Sequence, residues 1–261
     1  MSRQNSTFGH TQEPLVFQPA PLPHYVFQGL PLRHAVFTRY GGVSQGPYQS
    51  LNLSYEVGDA PERVHENRKR IKDLLGCRAL LSAKQVHGNE IFVAEDLSSD
   101  LEVEGFDVLV TTSPQVGLLI KQADCQAVIL WSSRPSVLAL AHAGWRGLVQ
   151  WALPKTVSFL KKEFRVPPEE LYAAISPSLQ PCCAEFKTWR EIFPQDFARF
   201  QVRPAHFDLP GISVAQLLQA GLRRERILVS RKCTCCETEF FSYRREKVSG
   251  RFGTLACLEP T

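Results

Sequence analysis

Long apolar runs are missing from this chain. None approaches the roughly 18 residues needed to cross a bilayer, so a helical membrane protein is excluded and no membrane partner is expected. No leader is read either, since Ser2–Thr7 is polar and no apolar stretch follows it. Methionine is confined to Met1, and the seven histidines include no His-x-His pair. An electron-transfer copper centre draws on several imidazoles and a weak axial sulfur, so that class is disfavoured. Long basic runs are absent too: 30 Lys+Arg stand against 26 Asp+Glu, a net +4. That balance argues against a nucleic-acid partner and suits an anionic small ligand. There is no fixed-period repeat and no long linker across the 261 residues, which favours one domain over two. With no leader, eight cysteines point to a reducing, cytoplasmic setting in which thiols are packed, metal-bound or catalytic.

What is present begins with Pro14, Pro19, Pro21, Pro23 and Pro31, in a stretch also rich in Gln and Ser. This composition predicts an extended arm over residues 1–30, with a single domain over 31–261. His34–Tyr40 reads as a strand stopped by Gly41-Gly42. Asp59 with Glu62 three residues on reads as a capping box. Val64, Ile71, Leu74 and Leu75 then share a helical face that ends at Gly76, and His65 falls on the solvent side. Strands are expected at Glu90–Val93, Asp107–Thr111, Gly117–Lys121, Ala127–Trp131, Val137–Ala141, Leu171–Ile175 and Ile227–Ser230. A helix kinked at Pro154 is expected over Leu148–Phe164, and one capped by Ser213 through Leu222. Runs such as Val128-Ile-Leu-Trp131 read as strands buried on both faces. Neighbouring strands without an intervening helix favour mixed sheets in an α/β sandwich.

The chemistry gathers at ends of apolar runs. Cys125 follows Gln122-Ala-Asp124, and His142 closes Leu138-Ala-Leu-Ala141 before Ala143-Gly-Trp-Arg-Gly147. His87 sits in Gln85-Val-His-Gly88, where the glycine gives a turn. Two imidazoles and a thiolate can hold zinc at three positions and leave a fourth open, the pattern of a catalytic site; their separation along the chain is unlike a zinc finger. Gly144 and Gly147 mark a tight strand-to-helix turn. Its backbone N–H groups, with Arg146, can hold a phosphate or carboxylate. Arg39 before Tyr40-Gly-Gly42 is a second anion candidate, and Lys121 and Arg244 could serve similarly. Cys233-Thr-Cys-Cys236 is a C-x-x-C open to metal binding, a redox pair or plain packing, with Cys182-Cys183 as the other pair a four-cysteine site would need. The zinc deaminase signature of nucleobase enzymes is not met: His87-Gly-Asn-Glu90 is one residue too long, and Pro181-Cys-Cys183 lacks its second spacing.

Taken in order, Thr38-Arg-Tyr-Gly-Gly-Val-Ser44, Ser50-Leu-Asn-Leu53, Val57-Gly-Asp59, Glu66-Asn-Arg68, Gln85-Val-His-Gly88, Ala123-Asp-Cys125, Ala141–Gly147, Pro181-Cys-Cys183 and Phe240–Arg245 resemble the YfiH family. That family is also named for a laccase domain, for multicopper polyphenol oxidoreductases or for peptidoglycan editing. The resemblance implies a single-domain, three-layer α/β/α sandwich with mixed sheets, similar to deamidase toxins that use a Cys–His pair. It implies a zinc-dependent purine nucleoside enzyme, with His87, Cys125 and His142 as ligands and copper as the lesser alternative. Its partners would be phosphate and adenosine, inosine or methylthioadenosine, split to the free base and the ribose or methylthioribose 1-phosphate; adenosine deamination is a further implied activity. Arg39, Ser44, Gln85, Arg146 and Arg244 become candidates for substrate or phosphate contacts. Asp124 is a candidate general acid, or the group that orients a zinc-bound histidine. A monomer or small homo-oligomer is expected. Gln122, Ser176–Pro181 and Asp208–Ile212 depart from the family pattern. The rival reading is a Cys–His amide hydrolase acting on a mis-assembled cell-wall precursor, with Cys125 as nucleophile and His142 as base; a copper polyphenol oxidase is disfavoured by the histidine count.

Overall fold

A computed structural model describes residues 13–259. The run Val128–Trp131 lies in a strand, β9 (Gln126–Ser133), that pairs antiparallel with β10 (Ser136–Ala143). Along β9 the side chains alternate between two apolar clusters. Val128 and Leu130 join one; Ala127, Ile129 and Trp131 join the other. Burial on both faces therefore follows from a layer on each side, as the continuous apolar run requires.

β9 and β10 belong to a six-stranded sheet ordered β14 (Ile227–Val229), β11 (Tyr172–Ile175), β9, β10, β7 (Val108–Thr111), β5 (Ile91–Ala94). A seven-stranded sheet runs β1 (Leu15–Gln18), β2 (His24–Phe27), β3 (Arg33–Phe37), β15 (Phe252–Cys257), β8 (Val116–Gln122), β4 (Ala79–Lys84), β6 (Leu101–Glu104). Both are mixed: β4 is parallel to β8 and β5 to β7, whereas β15 is antiparallel to β8. A separate short pair joins β12 (Gln201–Arg203) to β13 (His206–Phe207). Leu81, Leu118, Ile120 and Phe252 of the larger sheet share a cluster with Leu109, Ile129, Leu138 and Leu140 of the smaller one, so the two sheets face each other. Helix α1 (Pro61–Leu75) covers the outer face of the larger sheet through Ile71 and Leu75. Helices α3 (Ala152–Phe164) and α5 (Leu209–Gln219) cover that of the smaller sheet through Leu153, Val157, Leu160, Ile212 and Leu217. The other α-helices among the described residues are short: α2 (Trp145–Val149), α4 (Trp189–Ile192) and α6 (Tyr243–Glu246). The mixed α/β sandwich is as expected, but two β layers rather than one separate the helices. Each fully buried Leu, Ile, Val or Phe contributes about 1.5–3 kcal/mol. No helix among the described residues is long and apolar enough to cross a membrane.

Several helix ends follow the local sequence pattern and others depart from it. Gly76 ends α1 in the left-handed conformation, φ 61°. Asp59 does not cap α1: its carboxylate accepts from Asn52 Nδ2 and from the Ala60 N–H, one residue short of the helix. The helix expected over Leu148–Phe164 is broken at Trp151, φ 57°, and Pro154 falls in the first turn of α3, where no i−4 hydrogen bond is lost. Ser213 lies inside α5 with its hydroxyl bonded to Gln126 Oε1, and Asp208 is the cap instead. Of the arm expected over 1–30, Leu15–Gln18 and His24–Phe27 form an edge hairpin of the larger sheet; residues 1–12 lie outside the described residues.

Candidate active site

The topology brings three strand ends together. His87 is in the loop between β4 and β5, Cys125 in the turn where the chain leaves β8 for β9, and His142 near the end of β10. Since β8 and β9 lie in different sheets, the site opens at one end of the sandwich, between the layers. The donor atoms of His87, Cys125 and His142 all lie within 4.8 Å of one another, and the two rings stand nearly edge to face with centroids 4.9 Å apart. His142 is buried, Cys125 half-buried and His87 exposed. The close approach of Cys125 depends on Gly144, where a Cβ would fall 2.8 Å from the Cys125 sulfur.

Asp107 organises the floor. Its fully buried carboxylate accepts from His142 Nδ1 at 2.7 Å and from the successive N–H groups of Val86, His87 and Gly88 at 3.1, 3.0 and 2.7 Å. His87 holds φ 62° to complete this wrap. Three amides converging on one carboxylate form an anion nest, so Asp107 fixes both histidines at once. Burial pushes the Asp107 carboxyl up, but its bond to His142 and that ring's charge bring it below the ordinary value. Burial likewise opposes ionisation of Cys125, yet the charge of His142 and bonds to both imidazoles bring the thiol down to about 6. Against burial, the Cys125 charge and the Asp107 bond raise His142 to about 9. A thiolate is thus favoured at neutral pH, the form required of a nucleophile or a metal ligand. With Nδ1 given to Asp107, His142 has Nε2 left for the centre.

A cleft of about 590 Å³ rises from this floor. Its walls carry Arg146, Arg244, Lys247 and Arg251, with Trp145, Phe186 and Tyr243 between them. Arg146 stacks on Trp145, 4.2 Å from the ring centroid. Burial lowers the pKa of Arg251, whose Nη1 is bonded to Ser249 and Gly250.

Of the residues singled out in the sequence, His87, Cys125 and His142 meet, and Gln85, Asp124, Arg146 and Arg244 line the same cleft. Arg39 and Ser44 do not. The Arg39 guanidinium lies 4.4 Å from the Phe241 ring and bonds Glu246 and the Gln49 carbonyl; buried Ser44 accepts from Asn67. Lys121 reaches the wall but is paired with Glu56 and Glu102. Gln85 has its amide bonded to both backbone groups of Lys121. Asp124 is not the group that orients a histidine. Its carboxylate accepts from Thr234 Oγ1, Ser242 Oγ and the Arg244 N–H at 2.8, 2.7 and 2.6 Å, holding a turn whose φ is 94°. Sequence reasoning missed Asp107, Lys247 and Arg251. Asp107 alone carried a signal, as an acid heading an apolar strand.

The profile of a family described as multi-copper polyphenol oxidoreductase laccase matches residues 33–259. A Xylella fastidiosa protein named purine nucleoside phosphorylase is 36% identical over 233 residues, 83% of this chain and 88% of that one. Purine nucleoside phosphorylase YfiH of Escherichia coli is 35% identical over 233 residues, 85% and 91% of the two chains. Among solved structures, hypothetical protein YfiH of Bacillus licheniformis superimposes with a TM-score of 0.86 at 25% identity, covering 93% of this chain and 99% of that one. YlmD of Geobacillus stearothermophilus superimposes with a TM-score of 0.84 at 29% identity, covering 95% and 100%.

Proposed function

The chain belongs to the family described as multi-copper polyphenol oxidoreductase laccase, the family that includes the YfiH proteins, and from that premise we propose that it is a zinc-dependent purine nucleoside phosphorylase. The observation that carries this reading is a His–Cys–His donor set at the floor of a cleft whose walls hold Arg146, Arg244, Lys247 and Arg251. The donor set fits zinc: a thiol brought down to about 6, one imidazole held by a buried carboxylate, and a third ligand from a separate loop. Zinc held by His87, Cys125 and His142 would supply a Lewis acid with an open position. It fits copper oxidation less well. The only other group of three or more potential ligands among the described residues consists of four cysteines, without the imidazoles that chemistry uses.

The substrates are phosphate and adenosine, inosine or methylthioadenosine. Arg146, Arg244, Lys247 and Arg251 hold phosphate, and the aromatic faces of Tyr243 and Phe186 take the purine. A phosphate oxygen attacks C1′ of the ribose, the bond from C1′ to N9 breaks, and the purine leaves with the electron pair and takes up a proton. The products are the free base and ribose 1-phosphate, or methylthioribose 1-phosphate from methylthioadenosine. Asp124, with three donors on its carboxylate, positions the turn rather than giving that proton. The cleft volume lies within the usual range for small-molecule sites. Adenosine deamination at the same centre is a secondary activity. Eight unpaired cysteines support a cytoplasmic setting.

A second reading is favoured by one feature. Cys125, His142 and Asp107 form a nucleophile–base–orienter series, which suits an amide hydrolase without metal. His87→Ala separates the two, since it removes a zinc ligand but no member of that series. The deciding experiment is product chromatography of zinc-loaded protein with adenosine, with and without phosphate, beside Cys125→Ala. Phosphate-dependent adenine, absent from Cys125→Ala and His87→Ala, is expected; inosine reports deamination. Absence of any purine product from folded, zinc-bearing protein overturns the proposal.

A further inference from the structure

A second group of ligand atoms lies outside the cleft. Cys182, Cys183, Cys233 and Cys236 come from two loops, one after β11 and one after β14, and their four sulfurs lie within 4.8 Å of one another. The Cys236 sulfur is 3.6 Å from that of Cys182 and 3.5 Å from that of Cys183. Zinc–sulfur bonds of ~2.3 Å set the edges of a tetrahedral ZnS₄ unit at ~3.8 Å. Two separations are therefore already close to that edge, and the others exceed it by ~1 Å at most.

We propose that these four cysteines form a second metal site, a tetrathiolate centre for zinc or a similarly soft divalent cation, structural in role. The backbone is organised for it. In the first loop the N–H groups of Cys183 and Ala184 both donate to the Gln180 carbonyl, a tight turn that lets two adjacent cysteines serve one centre. In the second, the N–H groups of Cys236 and Glu237 both donate to the Cys233 carbonyl, closing the C-x-x-C turn. Ser178 and Thr234 join the loops: Thr234 N donates to Ser178 O, and Ser178 N to Lys232 O. Cys235, the odd member, packs against the apolar cluster beside α5. Four thiolates around a divalent ion leave two negative charges, and two guanidinium groups reach these loops, one from β12 and one from α6. Arg203 bonds the Cys182 carbonyl, and Arg245 bonds those of Thr234 and Cys235. A closed set of four sulfurs leaves no open position, which marks a structural rather than a catalytic centre.

The site has a consequence for the cleft. Thr234, inside the C-x-x-C, donates to Asp124, and the Leu179 N–H donates to the Asp124 carbonyl. Both metal-bearing loops thus grip the turn that presents Cys125. An ion in the four-sulfur site ties them together and holds that turn in place.

The test uses the full chain carrying His87→Ala and Cys125→Ala, which removes the metal-binding capacity of the cleft. After incubation with Zn²⁺ under reductant and gel filtration, about one equivalent of zinc is expected to remain, against less than one tenth when Cys182→Ser or Cys236→Ser is added. Both added changes are at exposed positions. Co²⁺ in place of zinc is expected to give sulfur-to-metal charge-transfer absorption several-fold stronger than a one-thiolate site. Should either added change unfold the protein, alkylation of the His87→Ala/Cys125→Ala protein with and without Cd²⁺ reads the same property, with protection of these four thiols expected. No retained metal and equal alkylation with and without Cd²⁺ would overturn the proposal, as would loss of two hydrogens per cysteine pair, the mark of disulfides, in protein that binds no ion.

Discussion

Asp107 Oδ1 stands 2.7 Å from His142 Nδ1, and the same carboxylate holds the N–H of His87. One buried acid therefore sets the tautomer of one ligand and the backbone of another. Each Asp107 oxygen accepts from two N–H groups, so Asp107→Asn keeps the shape but sets an NH₂ group against two donors. We expect metal affinity and kcat to fall by about 10–100-fold. Zinc titration alongside steady-state kinetics checks this. Unchanged zinc affinity would show that the two histidines do not need the carboxylate.

Gly144 offers a cleaner perturbation. A methyl group there would meet the Cys125 sulfur at 2.8 Å and His87 Cδ2 at 3.4 Å, closer than van der Waals contact permits for the first. The residue sits in extended backbone, φ −78°, so alanine brings no dihedral strain. Gly144→Ala should displace the thiol, lowering activity by about 100-fold, with thermal stability nearly kept. Activity and a melting curve on the same sample decide it. Full activity would mean the sulfur has room that the geometry denies.

How much of this was legible beforehand follows from the range of each interaction. Cys125 and His142 end apolar runs, and that pattern is local, so their place at one end of the sandwich could be read. Asp107 also heads a readable strand, but its tie to His142 depends on the pairing of Val108 with Ala141 across β7 and β10, which no local pattern carries. Arg39 beside a glycine turn looked available for an anion. Its partner Glu246 lies 207 residues further on, and that distance hid the pair. Asp59 and Glu62 matched a capping box, yet Asn52 competes for the Asp59 carboxylate. The second β layer was hidden for a related reason: strands from both ends of the chain, β3 and β15, pair in one sheet.

The cations of the cleft make a graded prediction. Arg146 and Lys247 are exposed and line the wall; Arg39 lies outside it. Each of Arg146→Ala and Lys247→Ala should raise the KM for phosphate about 10-fold, the worth of one charge-assisted hydrogen bond, with a smaller effect at high salt. Arg39→Ala should leave that KM within about twofold and cost about 1–2 kcal/mol of stability through its lost ion pair and ring contact. A phosphate KM that rises as much for Arg39→Ala as for Arg146→Ala would misplace the anion site.

Glu102 links α1 to the wall of the cleft. Its Oε1 accepts from Arg68, Lys121 and Ser82 at 2.9, 2.6 and 3.1 Å. Burial opposes its charge, but Arg68 and Lys121 outweigh it and bring the carboxyl from an ordinary 4.5 down to about 2. Because the folded value is the lower one, the unfolded chain binds the proton first as pH falls. The stabilisation is then complete above about 4.5, declines below it, and is gone near 2. Glu102→Gln should cost about 2–3 kcal/mol at pH 7, a gap that narrows through this window and closes at its lower end. Urea unfolding of both proteins at pH 7, 4.5 and 2.5, ~three points across the window, measures it. A gap that stays constant with pH would assign the loss to packing instead of charge.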